Sequence, residues 1–177
     1  MGIAPGSHRL GPDNASLVVK TYREGMASKV GHDLVFEVTD WTATLTVGDA
    51  PSLELRADPR SLRVRDALHG LKPLSGKDRD EILRNIESKV LGRDEIAFRS
   101  RHVAADGDRL TIDGDLTLAG AARPVGAELV VGADGSTATT IALTQSEWGI
   151  KPYRGLMGAL KVRDEVEIVL EARLPVA

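Results

Sequence analysis

The sequence predicts an all-β fold with a single α-helix, in which antiparallel strands either close as a β-barrel of about eight strands or stack as a sandwich, since periodicity alone does not separate the two. Apolar and polar residues alternate with a period of two over many segments, which is the pattern of a strand buried on one face. Short turn sequences separate these segments. One stretch, at about residues 76–91, shows helical spacing instead.

The alternation is most complete in two segments. In residues 109–118 every second residue is Leu, Ile or Gly, and after Arg109 the residues between them are Thr or Asp. Residues 165–174 repeat the pattern with Glu and Arg on the polar face, and only Val169 departs from it. A shift of one residue would turn the apolar set toward water, so the register of both strands should be fixed. Shorter segments of this kind, which bring the total to about nine strands, cover residues 16–22, 29–38, 41–47, 52–57, 95–103, 125–131 and 137–143.

Turns and one helix complete the predicted elements. Turn sequences at 48–51, 106–108 and 132–135 make consecutive strands antiparallel neighbours. After Ser75, apolar residues recur at helical spacing between charged ones. Ser75 and Asp78 have the spacing of a capping box, and a glycine follows residue 91 as a helix stop. We therefore predict one helix over residues 76–91.

Length and composition indicate a single folded domain. The chain has 177 residues, of which 28% are charged and 42% are hydrophobic, as in ordinary globular proteins. Residues 1–15 are rich in Gly, Pro and polar residues, so we predict a flexible N-terminal segment there. The single domain is expected to cover residues 16–177.

Charge and residue usage argue against several classes of protein. The formal net charge is −3, whereas nucleic-acid binding needs a concentrated excess of positive charge. Cysteine is absent, which excludes disulfides, thiolate nucleophiles and Cys-based zinc sites. The N-terminus lacks the apolar run of a signal peptide, and no stretch approaches the ~20 apolar residues of a membrane span. We therefore expect a cytoplasmic protein without an integral membrane segment.

Catalytic signatures are missing from the sequence as well. It contains neither the Gly-x-Ser-x-Gly nucleophile elbow nor a Gly-rich phosphate loop. Turns and water-facing strand positions account for the serines and acidic residues. The sequence thus predicts no catalytic residue and no cofactor, which favours a binding protein over an enzyme.

The run G-D-L-T-L-A-G-A-A-R-P-V at residues 114–125 resembles the signature strand and turn of the YceI-like, polyisoprenoid-binding family. Three further pieces stand in the family's order, and the resemblance spans residues 16–174. They are Gly31-His32-Asp33-Leu34, Ile96-Ala97-Phe98-Arg99-Ser100, and Trp148-Gly149-Ile150-Lys151 followed by Gly158, Val162, Asp164 and Val166. The resemblance implies an extended antiparallel, lipocalin-like β-barrel with a helix across it and an elongated apolar cavity for an isoprenoid chain.

Two departures from the family's pattern bear on function. Many relatives begin with a leader peptide, whereas this chain begins with a short polar segment. The usual Arg-Asp-x-His-Leu stretch is replaced by residues 74–82, and Gln145 stands where relatives often have arginine. If those charged groups contact a head group in relatives, the head group bound here differs.

Alternation and the resemblance together predict the residues that line the cavity. They are His32, Leu34, Phe36, Phe98, Leu116, Trp148, Ile150, Met157 and Leu160. The Gly- and Met-rich part of this set, around residues 148–160, is either a barrel corner or a mobile entrance. Lys151, Arg154 and Lys161 surround it, and they are either solvated surface or partners of a diphosphate or carboxylate head group.

Two histidines fall on apolar faces by strand alternation. His32 is either a structural histidine bonded to the backbone or a polar group that orients the ligand at the end of the cavity. His102 lies on the face of Phe98 and Ser100, where it would approach His32. Two imidazoles without a third ligand at fixed spacing do not make a metal site, so we predict none.

Three functions follow, and the first is favoured. It is the binding of an apolar small molecule, an isoprenoid, quinone or similar, inside the barrel for carriage, storage or sequestration. The second is an enzyme of the same fold with His32 as acid or base. The third is a ligand-free barrel that acts through its surface, for which the resemblance adds a homodimer. Aromatic residues, which fill large spaces, make up only 3% of the chain, which favours a cavity over a filled core.

Overall fold

Antiparallel strands dominate the computed structural model, which describes residues 2–177 apart from the side chain of Leu156. Within these residues fourteen strands and one α-helix form. The strands are β1 (Gly6–Leu10), β2 (Ala15–Thr21), β3 (Arg23–Glu24), β4 (Asp33–Val38), β5 (Trp41–Val47), β6 (Ser52–Ala57), β7 (Leu62–Leu68), β8 (Ile96–Asp106), β9 (Arg109–Leu118), β10 (Ala121–Val130), β11 (Ser136–Thr144), β12 (Arg154–Gly155), β13 (Leu160–Val162) and β14 (Glu165–Arg173).

The strands form two large sheets and one small sheet. The first has six strands in the order β1-β5-β6-β8-β9-β10, and the second has five in the order β11-β14-β2-β4-β7. The small sheet, β12-β13-β3, has three. All pairings are antiparallel, as the short turn sequences predicted.

The predicted closure into a barrel of about eight strands is wrong, because no closed barrel forms in the described part of the chain. β10 and β11 are consecutive in sequence but belong to different sheets. Between them, the Thr137 hydroxyl donates to the carbonyl of Val130 at 2.9 Å, and the Thr139 hydroxyl donates to that of Glu128 at 3.0 Å. These side-chain bonds stand where a closed barrel would have a backbone ladder. We call this junction the threonine seam.

The predicted helix is confirmed. Helix α1 spans Gly76–Ile86 and continues as a π-helical turn over Glu87–Leu91. Its capping box is present: the amide of Asp78 donates to the Ser75 hydroxyl, and the amide of Ser75 donates to the Asp78 carboxylate. The helix packs beside β7, where the Arg79 guanidinium donates to the carbonyl of Val64 at 2.8 Å. That bond satisfies a backbone group of an edge strand.

The segment predicted to be flexible, residues 1–15, contributes a strand to the six-stranded sheet. Strand β1 pairs with β5 along its full length, and Ile3 forms a bridge with Val176. Ile3 and Leu10 are buried in the main core. These apolar residues are isolated in the sequence, and they gain a buried environment only from the sheet edge that they cover.

Both large sheets bury their apolar faces in a common interior. The main core joins residues such as Leu45 and Ile112 of the six-stranded sheet to Leu17 and Phe36 of the five-stranded one. A second, smaller cluster contains Leu143, Trp148, Ile150 and Val166. The interior between the sheets is therefore the place to look for a ligand.

Candidate ligand cavity

An apolar cavity of about 270 Å³ lies between the two large sheets. Its volume is close to the lower end of the range for small-molecule pockets, roughly 300–1,000 Å³. Side chains from both sheets and from the helical segment line it. Among them are Leu17, Val19, Phe36, Leu55, Ile86, Leu91, Phe98, Leu116, Val125, Ala127, Ile141, Trp148, Ile150 and Ile168.

Strand alternation builds most of the lining. On β14, the residues that face the cavity are Val166, Ile168, Leu170 and Ala172, followed by Leu174 just beyond the strand. Glu165 and Glu171 of the same strand are exposed. Strand β9 contributes its apolar face in the same way, with Leu110, Ile112, Leu116 and Leu118. The predicted alternation of these two strands is confirmed.

Gly114 interrupts the apolar face of β9 for a steric reason. A Cβ atom at this position would lie 2.6 Å from Cζ of Phe98 and 2.3 Å from the carbonyl oxygen of Arg99. Glycine therefore lets the Phe98 ring lie against the backbone of β9, and this ring forms part of the cavity wall.

The helical segment covers part of the cavity with few buried atoms. Ile86, Val90 and Leu91 line the cavity, although no residue of α1 or of the following π-helical turn is fully buried. An element that buries little apolar surface opens at a lower free-energy cost than a core strand. We therefore expect this segment to open more readily than the core strands of the wall.

Few polar side chains reach the cavity. They are Thr21, Asp58, Thr137, Thr139 and Gln145. The hydroxyls of Thr137 and Thr139 are used in the threonine seam. The carboxylate of Asp58 accepts hydrogen bonds from the backbone and the guanidinium of Arg60, and these bonds lower its pKa. Thr21 and Gln145 remain as groups that can face a ligand.

Gln145 is the buried polar group of the lining. Its side chain is only 9% exposed, and its Nε2 donates to the carbonyl of Arg163 at 3.1 Å. Because a carbonyl oxygen can only accept, this bond fixes which end of the amide is nitrogen. The other end, Oε1, accepts no hydrogen bond from the described residues, so it keeps its capacity to accept one.

The sequence places this fold in a family. A comparison with protein-family profiles matches residues 12–174 to the family described as YceI-like domain, which covers nearly the whole chain. This protein belongs to the YceI-like family. The resemblance inferred from the run at residues 114–125 is thereby confirmed. No curated protein sequence matches the chain.

Solved structures resemble this YceI-like chain over most of its length. The crystal structure of BcnA from Burkholderia cenocepacia has a TM-score of 0.63 at 14% sequence identity, covering 89% of this chain and 94% of that one. The YCEI protein of Campylobacter jejuni has a TM-score of 0.54 at 10% identity, covering 80% and 84%. At these identities the likeness shows a common fold. Within residues 2–177 of the YceI-like chain, no helix has the length and apolar character needed to cross a membrane.

The nine residues predicted to line the cavity differ in where this YceI-like fold places them. Five of them, Phe36, Phe98, Leu116, Trp148 and Ile150, lie in the lining, and the other four lie outside it. Leu34 packs against the main core instead. Met157 has a positive φ of 57° in the turn Leu156–Gly158 and is fully exposed. Leu160 lies against Gly31, where a Cβ atom would come within 2.5 Å of its Cδ1.

His32 joins two loops instead of lining the cavity. Strand β4 of the YceI-like chain begins only at Asp33, so alternation does not govern His32. Its Nε2 lies 2.7 Å from the carbonyl oxygen of Lys72, and a Cβ atom at Gly70 would lie 2.4 Å from the same nitrogen. This is the geometry of the structural histidine, one of the two roles considered for it.

The predicted head-group cations also lie outside the lining. Lys151 and Arg154 are exposed to solvent, and Lys161 faces Glu24, with 3.5 Å between Nζ and a carboxylate oxygen. Gln145, in contrast, lines the cavity. Its departure from the pattern that the resemblance led us to expect was the available signal, but its burial could not be read from the sequence.

His32 and His102, the two histidines considered as a metal-binding pair, lie in different surroundings. Strand β8 has a bulge between Ser100 and His102, so that Ser100 pairs with Gly114 and His102 with Asp113. The extra residue reverses the alternation and leaves His102 exposed and Val103 buried. Within residues 2–177, no group of three or more His, Asp and Glu side chains is placed to hold a metal ion.

A hydrogen-bonded tyrosine lies at the end of β2, next to Thr21 of the lining. The Tyr22 hydroxyl donates to the carboxylate of Glu167, and the Arg163 guanidinium lies 5.4 Å from the centre of the Tyr22 ring. The hydrogen bond to Glu167, together with burial, raises the pKa of Tyr22 from 10 to about 12.

We expect this tyrosine to give the protein a pH-dependent stability in alkaline solution. Because the pKa of Tyr22 is higher in the folded than in the unfolded state, its contribution is fully present below pH 10 and is lost as the pH rises to about 12. A spectrophotometric titration of tyrosinate should show a step near pH 12, and Tyr22→Phe should remove it. Retention of that step in Tyr22→Phe would contradict the assignment.

Proposed function

We propose that this YceI-like protein binds a linear, apolar molecule of isoprenoid type between its two large sheets and serves as a carrier or store. The observation that carries the proposal is the almost entirely apolar lining, to which the buried Gln145 contributes an amide whose oxygen accepts no hydrogen bond from the described residues. Burial of a hydrocarbon chain supplies affinity at about 0.8 kcal/mol per CH₂ group. The lining needs no directional contacts along that chain.

The polar end of the ligand is expected to be a neutral hydrogen-bond donor. A charged head group inside this lining would lose its hydration without gaining a charged partner, which costs several kcal/mol. The lining has no Lys or Arg side chain among the described residues. Oε1 of Gln145 is an acceptor, so a hydroxyl group suits it better than a quinone carbonyl. The proposed ligand class is therefore an isoprenoid alcohol.

The two other functions have less support from the cavity. An acid–base role for His32 would require its imidazole to reach a molecule in the cavity, whereas its Nε2 lies beside the carbonyl of Lys72. The carboxylate of Asp58 is engaged by Arg60. A barrel filled by its own side chains would leave no space of about 270 Å³. The homodimer and the cytoplasmic location stay predictions.

Native mass spectrometry with three matched ligands tests the proposal. Geranylgeraniol, geranylgeranyl diphosphate and the corresponding hydrocarbon share one chain and differ at its end. We expect one geranylgeraniol per chain, bound at least about tenfold more tightly than the diphosphate, because the cavity cannot pair the charge. Failure to retain any of the three would overturn the carrier function, and a preference for the diphosphate would overturn the neutral head group.

Removal of the amide of Gln145 should change ligand selectivity. In Gln145→Leu the affinity for geranylgeraniol should fall roughly fivefold, since one hydrogen bond contributes about 1 kcal/mol. The affinity for the hydrocarbon should stay the same or rise. Ser146→Ala is the matched control, because Ser146 is exposed and its hydroxyl bonds to Asp164 instead of facing the cavity. An equal loss for alcohol and hydrocarbon would mean that the substitution only disturbed the fold.

A further inference from the structure

Exposed apolar side chains are concentrated in three loops of the molecule. Among the described residues, six large apolar side chains are more than a third exposed. Five of them lie within residues 25–32, 67–77 and 149–163, and Val130 on β10 is the sixth. The five are Met26, Val30, Leu68, Leu71 and Met157, with Met26 98% exposed and Met157 fully exposed.

These three loops form one continuous surface. The amide of Ala27 donates to the carbonyl of Ala159 at 2.9 Å, which joins the first loop to the third. The contact of Leu160 with Gly31 lies at the same junction. His32, through the carbonyl of Lys72, joins the first loop to the second. We call the surface of residues 25–32, 67–77 and 149–163 the loop face.

The loop face is positively charged in an otherwise acidic chain. It contains seven of the 23 Lys and Arg residues and none of the 26 Asp and Glu residues. The rest of the chain therefore has 16 cationic and 26 acidic residues. Two of the seven, Lys161 and Arg163, face Glu24. The other five are exposed and have no carboxylate within 4 Å among the described residues: Lys29, Lys72, Lys77, Lys151 and Arg154.

We propose that the loop face docks on the surface of an anionic lipid bilayer. Exposed apolar side chains flanked by Lys and Arg are the combination that binds membrane interfaces, where the apolar tips enter the boundary of the acyl chains and the cations lie among the phosphates. Protein interfaces, in contrast, are depleted in lysine. The four unpaired lysines therefore favour a lipid surface over a protein partner.

The charge distribution also sets the orientation of docking. Because the remainder of the chain carries all 26 carboxylates and only 16 Lys and Arg residues, an anionic bilayer attracts the loop face and repels the net charge of the rest. The docking does not depend on the proposed cavity ligand, since it uses only surface side chains. Added salt should weaken it, because exposed charges are screened over about 8 Å at physiological ionic strength.

Vesicle co-sedimentation with the full chain tests this inference. The protein should sediment with vesicles of phosphatidylcholine and phosphatidylglycerol, and about tenfold less with phosphatidylcholine alone. Met26→Ser combined with Met157→Ser should reduce binding several-fold, whereas Val130→Ser, the exposed apolar residue outside the loop face, should not. Lys72→Glu combined with Lys151→Glu should lower it at least about tenfold.

A charge-matched control separates a local from a global electrostatic effect. Arg9→Glu combined with Arg123→Glu changes the net charge by the same amount at exposed positions of β1 and β10, outside the loop face. This control should bind vesicles at least about fivefold more tightly than the Lys72/Lys151 variant. Thermal unfolding of each variant verifies the fold. An equal loss in both charge variants, or a native chain that does not sediment with anionic vesicles, would overturn the proposal and leave the loop face to a protein partner.

Discussion

Ala127→Phe should abolish the binding of isoprenoid alcohols while the protein remains folded. Ala127 lies on β10, is half-buried and lines the cavity. A phenyl ring there would occupy the space that the ligand needs, and the apolar surroundings would accommodate it. We expect the affinity for geranylgeraniol to fall by at least about 100-fold, which corresponds to roughly 3 kcal/mol and to about four CH₂ groups that can no longer be buried.

The control for this prediction is on the same strand. Ala122→Phe introduces the same ring at an exposed position of β10, outside the lining, and should leave the affinity unchanged. Both variants can be followed by the fluorescence of Trp148, which lines the cavity. If Ala127→Phe bound the alcohol as tightly as the native chain, the ligand would have to lie elsewhere.

Gly114→Ala should destabilise the protein more than most single substitutions. A Cβ atom at Gly114 would lie 2.3 Å from the carbonyl oxygen of Arg99 and 2.7 Å from Cα of Ser100, both of which belong to the backbone of β8. Backbone atoms cannot relieve a steric clash by a change of rotamer, as a flexible side chain can. β8 and β9 would therefore have to separate next to the bulge. We expect the free energy of unfolding to fall by about 3 kcal/mol or more.

Chemical denaturation measures this loss, with a second glycine as control. Gly76→Ala places a methyl group at the first residue of α1, where no atom lies within 4 Å. It should stabilise the protein by about 0.4–1 kcal/mol, because alanine loses less backbone entropy on folding. Similar unfolding free energies for the native chain and Gly114→Ala would show that β8 moves freely, and the cavity wall at Phe98 would then need a different explanation.

Alternation predicted those parts of the fold in which it is uninterrupted. β9 and β14 repeat one apolar residue in two, so their cavity faces were evident from the sequence. β7 was missed because Asp66 interrupts the alternation of its apolar residues and because the pairing of β4 with β7 shifts register between Val35 and Phe36. A bulge leaves no mark in a hydrophobic pattern, and for the same reason the orientation of His102 was predicted incorrectly.

The closure of the barrel and part of the site depend on contacts between distant residues. The sequence indicates neither that β10 and β11 separate nor that Thr137 and Thr139 bond across the gap. The cations near residues 151–161 were the predicted head-group partners, and Gln145 was noted only as a departure from the family's pattern, because the sequence does not show that Gln145 is buried while Lys151 and Arg154 are exposed. Phe36 and Trp148 were predicted to line the cavity because both have large apolar side chains. Phe36 lies on the apolar face of a predicted strand, and Trp148 lies in the apolar cluster around residues 148–160.

We expect the threonine seam to allow the width of the cavity to change. In a closed barrel the number of strands and their stagger fix the circumference, so a thicker cargo would have to break main-chain hydrogen bonds. Here two hydroxyls hold the sheets at one junction, at about 1 kcal/mol each. We therefore expect the sheets to separate more readily along this junction than along a backbone ladder. Substitution of two threonines would then change which cargo fits without altering the architecture.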